Sequence, residues 1–452
     1  MIMMKKMTAA VLAAAMAASL TACGGNAAKE TTQTTAQTSQ EAATVAGGAS
    51  TTDGKEPVTL RFSWWGGEAR HEATIAAAEL YMEKNPNVKI EFEYSGWDGY
   101  KDKLVTQLSG GTAPDIMQVN YDWIYDLRKQ DQYFSDPRDF EGILDLSGFS
   151  ETAYNGCWVD EELQGLPSGL SVTTLIVDKP FFEEHGLDSS DPTYWTWDKV
   201  LAEGKRIHEE NPEHYLLNEF PTGRSFVVTL LAQKGIELVD KDYNVACTEE
   251  QLVEALNMLK TFIDSGVMLP FEQSSIYAQQ TEQFPKWLNN EMGMFMQVAS
   301  TIPSFSDMEL DVMLIPQYED AVNSGASLYP TNLICINAKS DKQEEAAKFL
   351  NFFFNDPEAI AILGDVRGVP PTEAARTQLE EAGTLNPLIG KAIALGEEHP
   401  GMAFHEASFN SELTKVENEY IERFGYGEAT AEETASELLA ELESICEPLR
   451  TA

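Results

Sequence analysis

The chain has 452 residues, a formal net charge of −42 and 43% hydrophobic residues. That length and apolar content fill two domains of roughly 100–200 residues each. The acidity excludes nucleic acid and anionic membrane surfaces as partners held by charge, since both need basic patches, and its dispersal over helix faces and loops favours solubility.

The first residues read as a processing signal. Lys5-Lys6 is a basic n-region, and Met7 to Leu20 is an apolar h-region too short to span a bilayer. Leu20-Thr21-Ala22-Cys23 resembles the lipobox of bacterial lipoproteins, which implies cleavage before Cys23 and thioether lipidation of its thiol; the alternative is a plain secretory signal with an incidental cysteine. Cleavage there removes Lys5 and Lys6 and no acid, leaving a charge of about −44. Residues 23–56 are rich in Thr, Ala, Gln, Ser and Gly without apolar periodicity. Such a stretch cannot bury enough surface to offset ordering entropy, so it is expected to be a flexible tether. No later run is long and apolar enough to span a membrane.

Val58 to Trp65 alternates and is β-rich, which predicts a strand. After Gly66-Gly67, Ile75, Ala78 and Met82 mark a helix that ends at Asn85-Pro86. Val88 to Tyr94 is a second strand, and Tyr100, Leu104 and Leu108 mark a second helix. Gly110-Gly111 stops that helix, Pro114-Asp115 sets a turn, and Ile116, Met117 and Val119 form a short buried strand. Asn120, Tyr121, Asp122 and Trp123 then lie just past the strand's C-terminal end, where open α/β sheets bind ligands. An amide, a phenol, a carboxylate and an indole suit a polyol with apolar faces; an ordinary αβ corner is the alternative. This β-α-β-α-β order implies a sheet with helices on its faces.

Residues 126–165 have few periodic runs. Gly165-Leu166-Pro167-Ser168-Gly169-Leu170 precedes a β-rich run from Val172 to Val177. Lys179 to His185 reads as a short helix with Gly186 as its stop, and Thr196-Trp197-Asp198 opens another helix that ends near Asn211-Pro212. Phe226 to Ala232 is an apolar helix. Thr248 and Gln251 form a capping box for a helix with Leu252, Ala255, Leu256 and Leu259 on one face. Phe284 to Asn290 is helical, Met292 to Met296 a buried strand, and Val312 to Ile315 another. Asp341 and Glu344 are expected to cap a helix through Phe354. After the rigid Gly368-Val369-Pro370-Pro371, the chain is helical, ending with the Thr430/Glu433 capping box and the apolar face Ala435, Leu438, Leu439, Leu442.

Five cysteines occur. Cys157, Cys247, Cys335 and Cys446 are widely spaced without CxxC, which argues against zinc and thioredoxin-like sites. Cys335 sits in a strand-like run as a core residue. An extracytoplasmic disulfide stays open. His208 and His214 are separated by Pro212 and cannot share a helix face as a zincin pair does. No GxSxG, P-loop or GxGxxG after a strand is present, and no metal or cofactor site is expected.

Taken in order, these pieces resemble an extracellular solute-binding protein of the sugar-binding family that includes maltose-binding protein, the capture subunit of an ABC importer. The markers are the Trp-rich first strand with its Gly-Gly turn, Asn85-Pro86-x-Val88-x-Ile90, Gly110 to Ile116, Gly165-Leu166-Pro167, the strand Val172 to Lys179, Thr196-Trp197-Asp198, and Ala346-Ala347-x-Phe349-Leu350. The resemblance covers Val58 to the C-terminus. It implies an α/β, two-lobe periplasmic-binding-protein-like fold with a hinge and an interlobe cleft. Crossings are expected near Ser168–Val172, Ser327–Asn332 and Gly368–Pro371. One lobe is then 57–167 plus 328–370, the other 168–327 plus 371–452, with Gly169 and Gly368 suited to a hinge.

The resemblance also implies a monomeric, non-enzymatic protein that is lipid-anchored outside the cytoplasm. It would close on a mono- or oligosaccharide and hand it to membrane permease subunits. A lipid-anchored carbohydrate-active enzyme and a sugar sensor are the alternatives. A sugar site needs flat aromatics for stacking and planar amides, carboxylates and Arg for paired hydroxyls. In the loop after the first strand these are Trp65, Glu68 and Arg70, with Trp64 pointing into the core. Asp122 falls on a family position that grips sugar hydroxyls, with Asn120, Tyr121 and Trp123 beside it. The family's preceding tryptophan is replaced here near Val119, so maltose is not the expected ligand. Ser171 at the first crossing, Arg224 in a second-lobe loop, Gln297 past its strand, and His405 with Asn410 complete the set; Trp97 stands at a strand end as cleft or core. A surface ion pair is the alternative for Arg224. Alanine at Asp122 or Arg224 is expected to weaken binding at least tenfold without lowering the stability of the free protein.

Overall fold

The computed structural model describes residues 56–450 except 160, 194, 220–222, 278–280 and 306. The signal segment, Cys23 and the tether up to residue 55 lie outside the described residues, as do Phe220, Pro221 and Thr222 of the loop before Arg224. Among the described residues no helix is long and apolar enough to cross a membrane.

Ten strands are described: β1 Val58–Trp65, β2 Val88–Ser95, β3 Ile116–Val119, β4 Trp158–Val159, β5 Glu162–Leu163, β6 Leu166–Asp178, β7 Tyr215–Glu219, β8 Met292–Val298, β9 Leu310–Met313 and β10 Leu328–Ile336. β4 and β5 form a separate ribbon. The other eight form one sheet in the order β2-β1-β3-β10-β6-β8-β7, with β9 also on β6. β1 runs parallel to both β2 and β3, as βαβ crossovers require.

The long strand β6 serves both halves of the molecule. Its residues Leu166 to Val172 pair with β10, and Thr173 to Asp178 pair with β8 and β9. Of its 13 residues only Thr173, at the changeover, is partly open to solvent. The partner β10 shifts register around Asn332. The third crossing joins here, with the Leu170 amide donating to Val369 O at 2.7 Å. The approach is so close that a Cβ on Gly169 would stand 2.6 Å from Arg367 O, and Gly368 has φ +109°. Both positions therefore require glycine.

Expected and observed elements diverge in three informative places. The β-rich run expected from Val172 to Val177 is part of a longer strand, since β6 starts already at Leu166. Asp341 does not cap its helix: that helix spans Gln343–Asn355, and its N-cap Lys342 makes no side-chain capping bond. β8 runs two residues beyond Met296, so Gln297 lies within the strand rather than past it.

Two principal cores fill the halves. Leu60, Phe62 and Trp64 pack with Phe349 and Phe353 in the first, where Trp64 is buried and its indole N–H donates to His71 Nδ1 at 3.0 Å. In the second, Leu175 and Val177 pack with Trp197, Phe226, Phe262, Leu438, Leu442 and Cys446. Cys157, Cys247, Cys335 and Cys446 are all buried free thiols. Both expected capping boxes, Thr248/Gln251 and Thr430/Glu433, form with both reciprocal bonds.

Candidate functional site

The C-terminal ends of β1, β2 and β3 gather three tryptophans. Ring centroids of Trp65, Trp97 and Trp123 lie 5.3 Å, 5.3 Å and 5.4 Å apart pairwise. Trp65 and Trp123 are buried, whereas Trp97 is 53% exposed. The sequence offers Trp65 and either Tyr121 or Trp123 for stacking and leaves Trp97 as cleft or core. In the structure Trp65 and Trp123 are the support and Trp97, two residues past the end of β2, is the open ring.

Next to this cluster a cleft of about 750 Å³ opens between the two halves. From the first half it is lined by Tyr121 and Asp122, which follow β3 in a single 3₁₀ turn capped by Asn120. The crossing strands supply Thr173, Ser327 and Tyr329, and β8 supplies Val298. The far wall is one face of the helix Ser411–Gly425, bearing Ser411, Thr414, Lys415, Asn418, Glu419 and Glu422. Their spacing of three and four residues is that of a single helix face, while Leu413, Glu417, Ile421 and Phe424 point inward.

Four of the lining rings form a closed circuit. Tyr121 lies 5.8 Å from Tyr329, which lies 6.0 Å from Phe404; Phe404 is 5.1 Å from Phe409, and Phe409 returns to Tyr121 at 4.8 Å. Burial pushes the Tyr121 phenol up to about 12 and raises that of Tyr329, so both stay neutral hydrogen-bonding groups at physiological pH. Ser171 is itself buried and hydrogen-bonds with Tyr329, so it positions that ring rather than lining the cleft.

Asp122 is exposed to the cleft, yet the surrounding protein takes enough water from it to raise its carboxyl above the usual range, an effect partly offset by Lys101. Arg224 begins the helix Arg224–Gln233, and its Nε donates to Glu417 Oε2 at 2.6 Å. A second guanidinium nitrogen contacts the same carboxylate oxygen. Glu417 is buried, so this pair is more than a surface contact, and Arg224 faces the cleft already neutralised. Truncating it strands a buried carboxylate, which revises the expectation that Arg224→Ala leaves the free protein's stability intact.

The remaining expected residues lie off the cleft. Glu68 is exposed at a helix start, and Arg70 donates to the backbone carbonyls of Val366 and Trp65 at 2.9 Å and 3.2 Å, bracing the third crossing. Gln297 folds back to accept from the Val298 amide; strand alternation turns Val298 to the cleft instead. His405 Nε2 contacts Glu237 Oε1 at 2.8 Å while its neighbours Phe404 and Ser408 line the cleft, and Asn410 caps the helix Ser411–Gly425. That helix face is what the sequence reading missed. Its polar periodicity is indistinguishable from an ordinary solvent face.

Rings, hydroxyls and amides in a cleft between two halves that share their central strands define a binding protein of the two-lobe periplasmic type. Residues 66–360 match the bacterial extracellular solute-binding protein family, and the chain belongs to that family. It is thus a solute-binding protein of ABC transporters. A binding protein of Brucella abortus (strain 2308) is 25% identical over 293 residues, covering 61% of this chain and 67% of that one. The diacetylchitobiose binding protein DasA of Streptomyces coelicolor is 23% identical over 310 residues, covering 66% and 70%. Among solved structures, a periplasmic oligogalacturonide binding protein from Yersinia enterocolitica superposes with a TM-score of 0.75 at 28% identity, covering 87% of this chain and 100% of that one.

Proposed function

We propose that the cleft captures an uncharged or amino-substituted mono- or oligosaccharide and that the chain delivers it to the permease subunits of an ABC importer. In this reading the protein is a monomer held outside the cytoplasm by lipid on Cys23, and it does not transform its ligand. The relatives reported above are binding proteins, which supports binding without turnover. The lobes are taken as 57–167 plus 328–370 and 168–327 plus 371–452; the changeover of partners along β6 at Val172–Thr173 supports a break within this strand, five residues further on.

The carrying observation is the charge balance of the cleft. Of its lining cations, Arg224 is held by the buried Glu417 and the exposed Lys415 lies 3.6 Å from Glu419, while Asp122 and Glu422 add further carboxylates, so acids outnumber cations there. The residues between 56 and 450 outside the description include no lysine or arginine. A uronate ligand needs cations free to meet its carboxylates, so this cleft favours neutral hydroxyls or an ammonium group, with its rings taking the apolar sugar faces.

Titration calorimetry with neutral oligosaccharides, amino-sugar oligomers and digalacturonate tests the reading. Neutral or amino sugars should bind and return chemically unchanged after incubation. Tighter binding of digalacturonate than of any neutral sugar would sink the substrate class, and appearance of cleavage products would sink the non-enzymatic role.

A further inference from the structure

We propose that Glu184, His185 and His214 form a binding site for one divalent late transition metal ion, with zinc as the reference ion, on the outer edge of the second lobe. These residues show no metal-site spacing in the sequence. The fold instead joins two segments 29 residues apart, bringing His185 Nε2 to 2.9 Å from His214 Nδ1. A carboxylate oxygen of Glu184 completes a trio whose ligand atoms all lie within 4.8 Å of one another.

The spacing suits coordination. Two metal–nitrogen bonds of about 2.1 Å hold their nitrogens about 3.0–3.4 Å apart, from octahedral to tetrahedral angles. The imidazoles therefore need to part by only a few tenths of an ångström, with the ion replacing the proton they now share. Glu184 is exposed and His185 and His214 are half-buried, so an ion can enter from solvent and keep water in its remaining positions. Two imidazoles and one carboxylate select zinc, nickel or copper over magnesium and calcium, which prefer oxygen ligands.

Both histidines stand on anchored backbone. His185 ends the helix Lys179–Glu184: its amide donates to Phe181 O, its carbonyl accepts from Arg206 at 2.9 Å, and Gly186 turns the chain away with φ +67°. The His214 amide donates to Asn211 O at 3.0 Å, and the His214 carbonyl accepts from His208 Nδ1 at 3.0 Å. The Phe181 ring packs on both imidazoles, at 4.5 Å and 5.6 Å. The nearby Arg206 is no bar to a cation, since Glu203 and Glu210 pair with it.

The site is remote from the cleft. His214 immediately precedes β7, whose first residue pairs in parallel with Met292 at the start of β8, whereas Val298 at the other end of β8 lines the cleft. Six residues of strand separate the two ends by roughly 20 Å. The ion would clasp a helix end to the turn before β7, stabilising the second lobe without touching the ligand.

The test is titration of ZnCl₂ or MgCl₂ into the full chain, carrying no histidine tag and stripped with chelator. One zinc per chain should bind saturably and raise the melting temperature, with magnesium giving neither effect. His185→Ala and His214→Ala should each weaken zinc binding at least tenfold, and Glu184→Gln by less. Imidazole ¹⁵N spectra of the unmutated chain keep the proposal exposed even where a variant misfolds: zinc should shift His185 and His214 and leave His71, His399 and His405 in place. Saturable zinc binding that survives His214→Ala, or spectra in which those two imidazoles do not respond, would overturn the site.

Discussion

Trp97 stands half-exposed on two buried indoles at the strand ends, whereas the helix Ser411–Gly425 turns small hydroxyls, an amide and paired charges toward the cleft from the other side. The first surface is backed by two buried rings, Trp65 in β1 and Trp123 in the turn after β3. The second sits on a helix whose inner face, Leu413, Ile421 and Phe424, packs into the core beside the buried Arg224–Glu417 pair, with the polar row on its outer face. Under the proposed saccharide function, Trp97 beside the cleft would take a sugar ring and the helix face its hydroxyls. Stacking needs a fixed plane, while hydroxyl recognition needs directional groups that can settle around the ligand.

Substitutions can break this contrast, and the largest effect should fall on the support rather than the open ring. Trp65→Ala removes a core indole and should cost about 3–5 kcal/mol of stability in denaturant titration. Arg224→Ala comes next. It should lose about 3 kcal/mol by leaving Glu417 buried and unpaired, and the double variant Arg224→Met/Glu417→Leu should recover most of that stability. Trp97→Ala should weaken saccharide binding roughly tenfold, equivalent to a stacking contribution of about 1.4 kcal/mol, while melting of the free protein stays nearly unchanged. Equal stability losses at Trp65 and Trp97 would erase the distinction between support and surface.

The smallest effect, and the one with a pH signature, belongs to Asp122. Desolvation raises its folded-state pKa, so the folded chain keeps this proton after the unfolded chain has lost it. Stability therefore declines as pH rises from about 4 through the raised value, and the full penalty stands above it. Asp122→Asn should melt slightly higher than the parent at neutral pH, the gap should close below about pH 4, and ligand affinity should fall at neutral pH. A variant that melts lower at neutral pH would show that the carboxylate supports the fold instead of being held against solvation for binding.

How much of this was legible in the sequence follows from how local each cause is. The β-α-β-α-β start was readable because glycine stops, prolines and apolar periods act within a few residues; Gly111, for instance, takes φ +66° at the end of its helix. The cleft-facing place of Tyr121 and Asp122 was readable because a loop after a buried strand has a fixed place relative to the sheet. Gln297 was misplaced by a strand that runs two residues longer than its apolar run, which reverses the side facing the cleft. The partner of Arg224 lies 193 residues away and that of His405 168 residues away, distances over which composition carries no signal. The helix face from Ser411 to Glu422 was visible as a pattern but not as a surface, since only the packed fold distinguishes a cleft from open water.

The last helix, Ala431–Leu449, contributes Ala435, Leu438, Leu442 and Cys446 to a core that opens with Leu175 and Val177. The first half likewise waits for β10 and for Phe349 and Phe353 before its sheet is covered. As the chain emerges from a ribosome, neither core can close on its early residues until late ones arrive. Such a layout ties completion of both cores to late stretches of the chain, so truncation within them should disrupt the whole fold rather than one lobe.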